Sequence, residues 1–344
     1  MKKNIFIFVL ISIAFSACEV DPFLVDDSVN DMEPVSFVKP PHFPNAIYNL
    51  QQNPLTTEGF ILGRKLFYDP ILSKDNSISC GECHQQNSAF AHGDHQFSHG
   101  INGLVGTRNS PPLFNLAFQK DFMWDGGVNN LEVQPLLPIT NPVEMDEDIN
   151  NVVAKLDKLP TYRQLFKSAF GDETINSQRV LRALSQFMVM MISANAKYDK
   201  VKLGKETFST AEQSGYDVFV QKCSACHQEP LFTDLSFRNN GLDLFPKDPG
   251  RAMITFDPAD SGKVKVPSLR NLKYTYPYMH DGRFQNLQEV IMHYTAGVKP
   301  CATLDPLLSN GITLSNTEID DLLTFLKTLD DVDFTKDKKL SEYQ

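Results

Sequence analysis

The chain has 344 residues, enough for roughly two domains at ~100–200 residues each and for sizeable cores. With 42% hydrophobic residues, 25 Phe and only 22% charged residues, it is neither a disordered chain nor a coiled coil. Its 32 basic against 42 acidic residues give a net charge of −10, which argues against a nucleic-acid surface and is compatible with steering a positively charged partner.

At the amino terminus, Lys2 and Lys3 precede an apolar run from Ile5 to Ala14, followed by Phe15-Ser16-Ala17-Cys18. This is the order of an export signal, and the run is too short to span a bilayer permanently. A Cys directly after small residues resembles a bacterial lipoprotein processing site. Residues 1–17 are therefore expected to form a signal peptide and Cys18 to become the lipid-modified first residue, the alternative being an ordinary signal with an incidental Cys. Residues 18–55, with Lys39-Pro40-Pro41 and Phe43-Pro44, are expected to be an extended tether. The expected location is the periplasm, on a lipid anchor.

Five further Cys remain, and four of them fall in two copies of C-x-x-C-H: Cys80-Gly81-Glu82-Cys83-His84 and Cys223-Ser224-Ala225-Cys226-His227. This is the attachment signature of c-type haem. Two thiols a helical turn apart can add to the two vinyl groups of one porphyrin, and the adjacent imidazole is then delivered to the iron. A zinc site built from all four thiolates fits poorly, because each pair carries its own His and the pairs lie far apart in sequence. Cys301 has no derivable role.

Amphipathic stretches lead into each motif, Glu58-Gly59 to Leu66-Phe67 and Glu212 to Val218-Phe219, forming a weak internal repeat. Thr210 with Gln213 and Ser315 with Glu318 have capping-box spacing. Val180, Leu181, Leu184, Phe187, Met188 and Met191 mark another helix face, its Met residues read as core. Strand-like alternation is confined to short pieces such as Lys263-Val264-Lys265-Val266. The expected fold is mainly α, two cytochrome c-like haem domains with long loops.

After the first motif come Thr107-Arg108-Asn109-Ser110-Pro111-Pro112, Phe122-Met123-Trp124-Asp125-Gly126-Gly127, Leu131-Glu132-Val133-Gln134 and Asn141-Pro142-Val143-Glu144-Met145. After the second come Val266-Pro267-Ser268-Leu269-Arg270-Asn271 and Thr275-Tyr276-Pro277-Tyr278-Met279-His280-Asp281-Gly282. With these motifs in this order, the chain resembles the bacterial di-haem cytochrome c peroxidases, a family that includes MauG, over roughly residues 56 to 330.

The resemblance implies a domain over 56–205 whose haem, on His84, reduces peroxide, and one over 206–335 whose haem, on His227, receives electrons. It implies a calcium ion held by the Asn109 side chain and the backbone carbonyls of Thr275 and Pro277, and it sets Trp124 between the haems. Glu144 matches the distal acid–base carboxylate, and Gln134 its neighbour in the pocket. One buried carboxylate can both remove the proton from the near oxygen of peroxide and return it to the far one. From the residues alone, Glu144 could instead be a paired loop carboxylate, Gln134 a structural hydrogen-bonder, Trp124 plain packing and Asn109 a turn residue. The implied activity is reduction of hydrogen peroxide to water with electrons from a small cytochrome c or cupredoxin. MauG-like oxidation of protein side chains and a non-catalytic electron carrier or sensor are the alternatives. A homodimer is compatible with the resemblance.

The chain departs from well-studied peroxidases of the family where they place a Met ligand on the second haem. That position falls on Tyr294, as in MauG, with Met292 nearby. On an α-helix starting at Asn286, Leu287, Val290, Ile291 and Tyr294 share one face and Met292 points roughly the opposite way. Tyr294 is the expected ligand and Met292 the alternative. On the first haem, His99 is a candidate distal ligand in a Gly-rich loop that also carries His92 and His95; the alternative is an open site with His99 on the surface.

Overall fold

The computed structural model describes residues 34–342, so the expected signal peptide and Cys18 lie outside the described residues. Among the described residues, the α-helices in chain order are α1 (Thr57–Tyr68), α2 (Cys80–Cys83), α3 (Leu136–Thr140), α4 (Ile149–Asp157), α5 (Pro160–Phe170), α6 (Ser177–Met188), α7 (Lys197–Lys202), α8 (Thr210–Lys222), α9 (Ala252–Thr255), α10 (Leu287–Met292) and α11 (Asn316–Leu326). Sheet is limited to β1 (Phe237–Arg238) paired antiparallel with β2 (Val264–Lys265), Phe237 opposite Lys265. The expectation of a mainly helical fold with long loops holds, and the alternating Lys263–Val266 stretch contains β2.

Helix starts follow capping chemistry. Thr56 accepts a hydrogen bond from the Gly59 amide at the start of α1, and Ser315 with Glu318 closes the expected capping box on α11. On α8 the box is Ser209 with Glu212, one residue before the Thr210 and Gln213 pair suggested by spacing. Ser209 keeps an extended backbone, so its hydroxyl is free to reach forward, whereas Thr210 is already inside the helix.

Two helix crossings organise the packing, and each leads into a C-x-x-C-H motif. Where α1 crosses α6, a Cβ on Gly63 would lie 1.9 Å from the Ala183 carbonyl oxygen; where α8 crosses α11, a Cβ on Gly215 would lie 1.9 Å from that of Asp321. Only a residue without a side chain allows backbones this close. Aromatic rings fill the space on either side: Phe67 lies 5.1 Å from Phe187 at the first crossing, and Phe219 lies 5.2 Å from Phe325 at the second. Val180, Leu184, Phe187, Met188 and Met191 are all buried on or just beyond α6. The repeat visible in sequence is this crossing, built twice.

The described part of the expected tether, residues 34–55, is irregular in backbone but lies against the body. The Val35 amide donates to Thr57 Oγ1, and the Ile47 and Tyr48 amides donate to the Ala117 carbonyl. Phe43 is 4% exposed and packs edge-on to Phe118 at 5.2 Å. Its aromatic Phe37, Phe43 and Tyr48 turn toward the body, whereas most of its Pro residues stay exposed.

The two crossings are stapled by buried polar groups. Asn115 and Ser193 exchange hydrogen bonds, Ser193 Oγ donates to Asp331 Oδ2, and Asn271 donates to Ser193 Oγ while accepting from the Asp331 amide. Beside this network, Arg270 makes a bidentate ion pair with Asp199 at 2.9 and 2.7 Å, both side chains essentially without exposure, and also donates to the Pro230 carbonyl. His42 of the docked segment reaches the same carboxylate at 2.7 Å. Asp199→Asn would leave the Arg270 guanidinium buried without its counter-charge. It is expected to lower stability by roughly 3–5 kcal/mol, read as a lower midpoint of urea unfolding; an unchanged midpoint would contradict this packing account.

Candidate functional site

The first motif is little more than one helical turn. α2 sets Cys80 and Cys83 a turn apart, and the His84 amide closes the turn onto the Cys80 carbonyl at 2.9 Å. The Tyr68 ring at the end of α1 covers Gly81 so closely that a Cβ there would sit 2.4 Å from it. His84 Nδ1 donates to the Phe90 carbonyl at 2.9 Å, so the proton is on Nδ1 and the lone pair on Nε2 is left for a metal. Ser110 Oγ donates to the Cys83 carbonyl at 2.9 Å and lies 3.3 Å from the same imidazole nitrogen. Burial drives the imidazole pKa down to about 4 and the thiols of Cys80 and Cys83 up to about 12 and about 11. Neutral imidazole and un-ionised thiols resist premature protonation and disulfide exchange, respectively.

These three residues open into a cavity walled mainly by apolar side chains, among them Phe67, Leu113, Pro138, Leu184 and Met188. Glu144, Gln134 and His99 line the same cavity. The Glu144 carboxylate accepts from Asn141 Nδ2 at 2.6 Å, and burial raises its pKa against the lowering effect of that bond. Gln134 Nε2 contacts Met123 Sδ at 3.6 Å. His99 is exposed at the rim, in a hairpin-like loop bridged between His99 and Val105. The loop rests on the backbone beneath Glu144: the Ile101 amide donates to the Glu144 carbonyl at 2.8 Å, and a Cβ on Gly100 would lie 2.2 Å from the Val143 carbonyl. His92, further along this loop, is buried and donates or accepts through Nδ1 with Ser98 Oγ at 3.0 Å, while stacked on His95 at 4.2 Å.

The second motif caps α8. The His227 amide bonds the Cys223 carbonyl at 3.0 Å, and His227 Nδ1 lies between the Phe232 and Pro267 carbonyls at 3.2 and 3.1 Å, again leaving Nε2 free. Burial lowers the His227 pKa and pushes the Cys223 thiol up to about 12. The helix expected to run through Tyr294 ends as α-helix at Met292 and continues as a π turn over His293–Gly297. Such turns place residues where an α-helix would not. Met292 is 58% exposed. Tyr294, by contrast, lies close enough to Cys223 and Cys226 for both thiols to act on its phenol, whose pKa burial raises. His293, to which the sequence assigned nothing, is buried with Nε2 on the Asn240 carbonyl at 2.9 Å, and Asn240 Nδ2 points to Met279 Sδ.

A third group joins the two motif regions. Trp124, 9% exposed, donates through Nε1 to the Asn109 carbonyl at 2.8 Å, while the Asn109 amide donates to the His280 carbonyl at 2.7 Å. The Trp124 and His280 rings are 6.4 Å apart. Asn109 Nδ2 donates to the His95 and Gln96 carbonyls, so its Oδ1 takes no part in those bonds. The Asp94 amide donates to the Tyr276 carbonyl, between Thr275 and Pro277. Among the described residues there is no cluster of three or more His, Cys, Asp or Glu side chains suited to a metal ion, so a cation here would depend on amide and carbonyl oxygens.

The residues fit haem c at both motifs. The donor set is complete: each imidazole presents Nε2, and each is preceded by two cysteines three residues apart. His280 Nδ1, on the ring that faces Trp124, and Asp281 Oδ1 are buried without a protein partner, as expected where a polar group of a cofactor or an ordered water completes the set. Asn141, Gly100, Ser110 and Asn240 enter the site without having been singled out from the sequence. Asn141 carried the one available signal, its i to i+3 spacing from Glu144.

Residues 57–207 match the family described as di-haem cytochrome c peroxidase. The methylamine utilization protein MauG of Methylorubrum extorquens is 36% identical over 298 residues, 83% of this chain and 82% of that protein. The cytochrome c551 peroxidase of Nitrosomonas europaea is 32% identical over 275 residues, 78% of each chain. Among solved structures, a MauG-like protein associated with microbial copper homeostasis superimposes with a TM-score of 0.82 at 32% identity, covering 89% of this chain and 99% of that one. With its two C-x-x-C-H turns, and relatives that match across most of its length, the chain belongs to the bacterial di-haem cytochrome c peroxidase family that includes MauG.

Proposed function

We propose that hydrogen peroxide is reduced to water at the haem held by Cys80, Cys83 and His84, while electrons arrive through the haem held by Cys223, Cys226 and His227. The observation that carries this reading is the Glu144 carboxylate in the same apolar cavity as the His84 imidazole. Haem c, when bound, supplies the redox-active iron and the coordination position at which peroxide is taken up. With haem bound, Glu144 as the carboxylate would take a proton from hydrogen peroxide and return it to the leaving oxygen, and two electrons with two further protons would complete reduction to two waters. Its raised pKa brings both halves of that transfer closer to neutrality, and Asn141 keeps the carboxylate aimed. Gln134 offers an amide donor to the outer oxygen. His99 stays at the rim, leaving the site open.

Trp124, bonded to Asn109 and set against His280, is the polarisable group between the two centres. Asn109 Oδ1 with the carbonyls of Thr275 and Pro277 would hold calcium and thereby fix the Trp124 contact. The 56–205 and 206–335 division follows the haem motifs, although Tyr198 packs with the second core and the Lys339 and Leu340 carbonyls accept from Arg64 and Tyr68 of α1. The net charge of −10 suits a basic small cytochrome c or cupredoxin as electron donor. Cys18 would anchor the exported protein by lipid; no helix among the described residues is long and apolar enough to cross a membrane.

Tyr294 favours a second reading. A phenolate on the second iron would stabilise oxidised states and suit MauG-like oxidation of protein side chains. A pure carrier or sensor has no use for Glu144.

Three outcomes are expected. Glu144→Gln should keep the haem spectrum yet lower kcat/KM for peroxide by roughly 10²–10⁴, the range for a lost general acid–base group. In the parent protein, activity should fall as pH drops through the Glu144 pKa, with a midpoint above the ordinary glutamate range; that acid limb should vanish in the variant. Tyr294→Phe should alter the ferric spectrum and raise the potential of one haem, whereas Met292→Leu should change neither. Fast steady-state turnover with a reduced cytochrome would select the peroxidase reading, and negligible turnover with a long-lived oxidised state the MauG-like one.

A further inference from the structure

Outside the haem cavities, one cluster joins two phenols to a single carboxylate. Tyr198 on α7, 1% exposed, donates a very short hydrogen bond to Glu229 Oε1, and Tyr216 on α8 donates to Glu229 Oε2 at 3.0 Å. Lys202 Nζ completes the group, 2.8 Å from Tyr216 Oη and 3.0 Å from Glu229 Oε1. The inner ring is one residue removed from the second metal site. Tyr198 stacks edge-on to Phe232 with centroids 4.7 Å apart, and the Phe232 carbonyl is an acceptor for His227 Nδ1. The outer ring, Tyr216, is half-buried and borders solvent beside exposed Lys202.

We propose that Tyr198 and Glu229 form a one-electron oxidation site fed by the His227 centre, with Tyr216 as its surface-facing partner. Losing an electron from a phenol that keeps its proton is strongly uphill, because the oxidised phenol is a strong acid. Here Lys202 Nζ lies 5.3 Å and the Arg270 guanidinium 5.7 Å from the Tyr198 ring, and both charges oppose a cationic ring. A carboxylate already holding the phenol proton removes that obstacle. Tyr198 gives one electron to the oxidised metal centre and its O–H proton to Glu229, leaving a neutral phenoxyl, a carboxylic acid and a centre reduced by one electron. The oxidising equivalents come from hydrogen peroxide, which takes up two electrons and two protons to give two waters. This step rests on the peroxide reading given above. It gives an oxidised centre that meets no donor a route to the surface.

The test is freeze-quench electron paramagnetic resonance on the holoprotein with both haems, mixed with one equivalent of peroxide, and in parallel with hexachloroiridate(IV), a one-electron oxidant that bypasses peroxide chemistry. An organic radical should appear and should narrow when the protein carries ring-deuterated tyrosine. Tyr198→Phe keeps the ring on Phe232 and should abolish the signal with haem absorption unchanged. Glu229→Gln removes the proton acceptor and should abolish it too, which guards against a Tyr198 variant that fails to fold; Tyr216→Phe should retain it. A radical with iridate but none with peroxide would uphold this site and count against peroxide reduction. Peroxide consumption without a tyrosine radical from either oxidant, or a signal indifferent to Tyr198→Phe, would overturn the site and leave the peroxidase reading standing.

Discussion

Each metal-binding turn depends on hydrogen bonding of imidazole Nδ1 to the main chain: the Phe90 carbonyl for His84, those of Phe232 and Pro267 for His227. That bonding fixes the tautomer, so the coordinating lone pair always sits on Nε2 and always points the same way. The carbonyls are presented by sharp turns, in which Ala89, Phe90 and Phe232 adopt positive φ. Those turns are held in their place by the helix crossings that precede each motif. The chain from Gly63 to Phe187, and from Gly215 to Phe325, is thus a frame whose purpose is to aim two imidazoles.

The two aimed imidazoles do not meet the same surroundings, and the difference is the basis of the roles we propose for them. His84 looks into an apolar cavity that also holds a buried carboxylate, an environment for moving a proton onto and off a small oxidant. His227 shares its surroundings with a phenol and with the Tyr198 cluster, groups that exchange electrons more readily than protons alone. Trp124 is bonded to Asn109, and Asn109 to the His280 carbonyl. We propose that the first site serves proton transfer and the second electron transfer.

Much of this was legible because the chemistry demands local spacing. Two C-x-x-C-H motifs, the caps at Ser315 and Glu318 and the buried stripe of α6 are short-range patterns. Long-range consequences were not legible. Gly100 and Ser110 matter because loops distant in sequence converge on them, and nothing in their own neighbourhoods marks the partner. The π turn at His293–Gly297 moves Tyr294 off the helix wheel, a distortion that period counting does not contain. The segment read as a tether lies against the body because its Phe43 finds Phe118, a contact set by tertiary structure alone.

We propose that the haem on His84 would keep an accessible face near Glu144 while Tyr294 would close the one on His227. Titrating the fully oxidised holoprotein with cyanide, followed by electron paramagnetic resonance, tests it most directly. The account predicts that one of the two haems binds the anion, converting from high to low spin, while the signal of the second is untouched. Binding at neither haem, or at both alike, would contradict it.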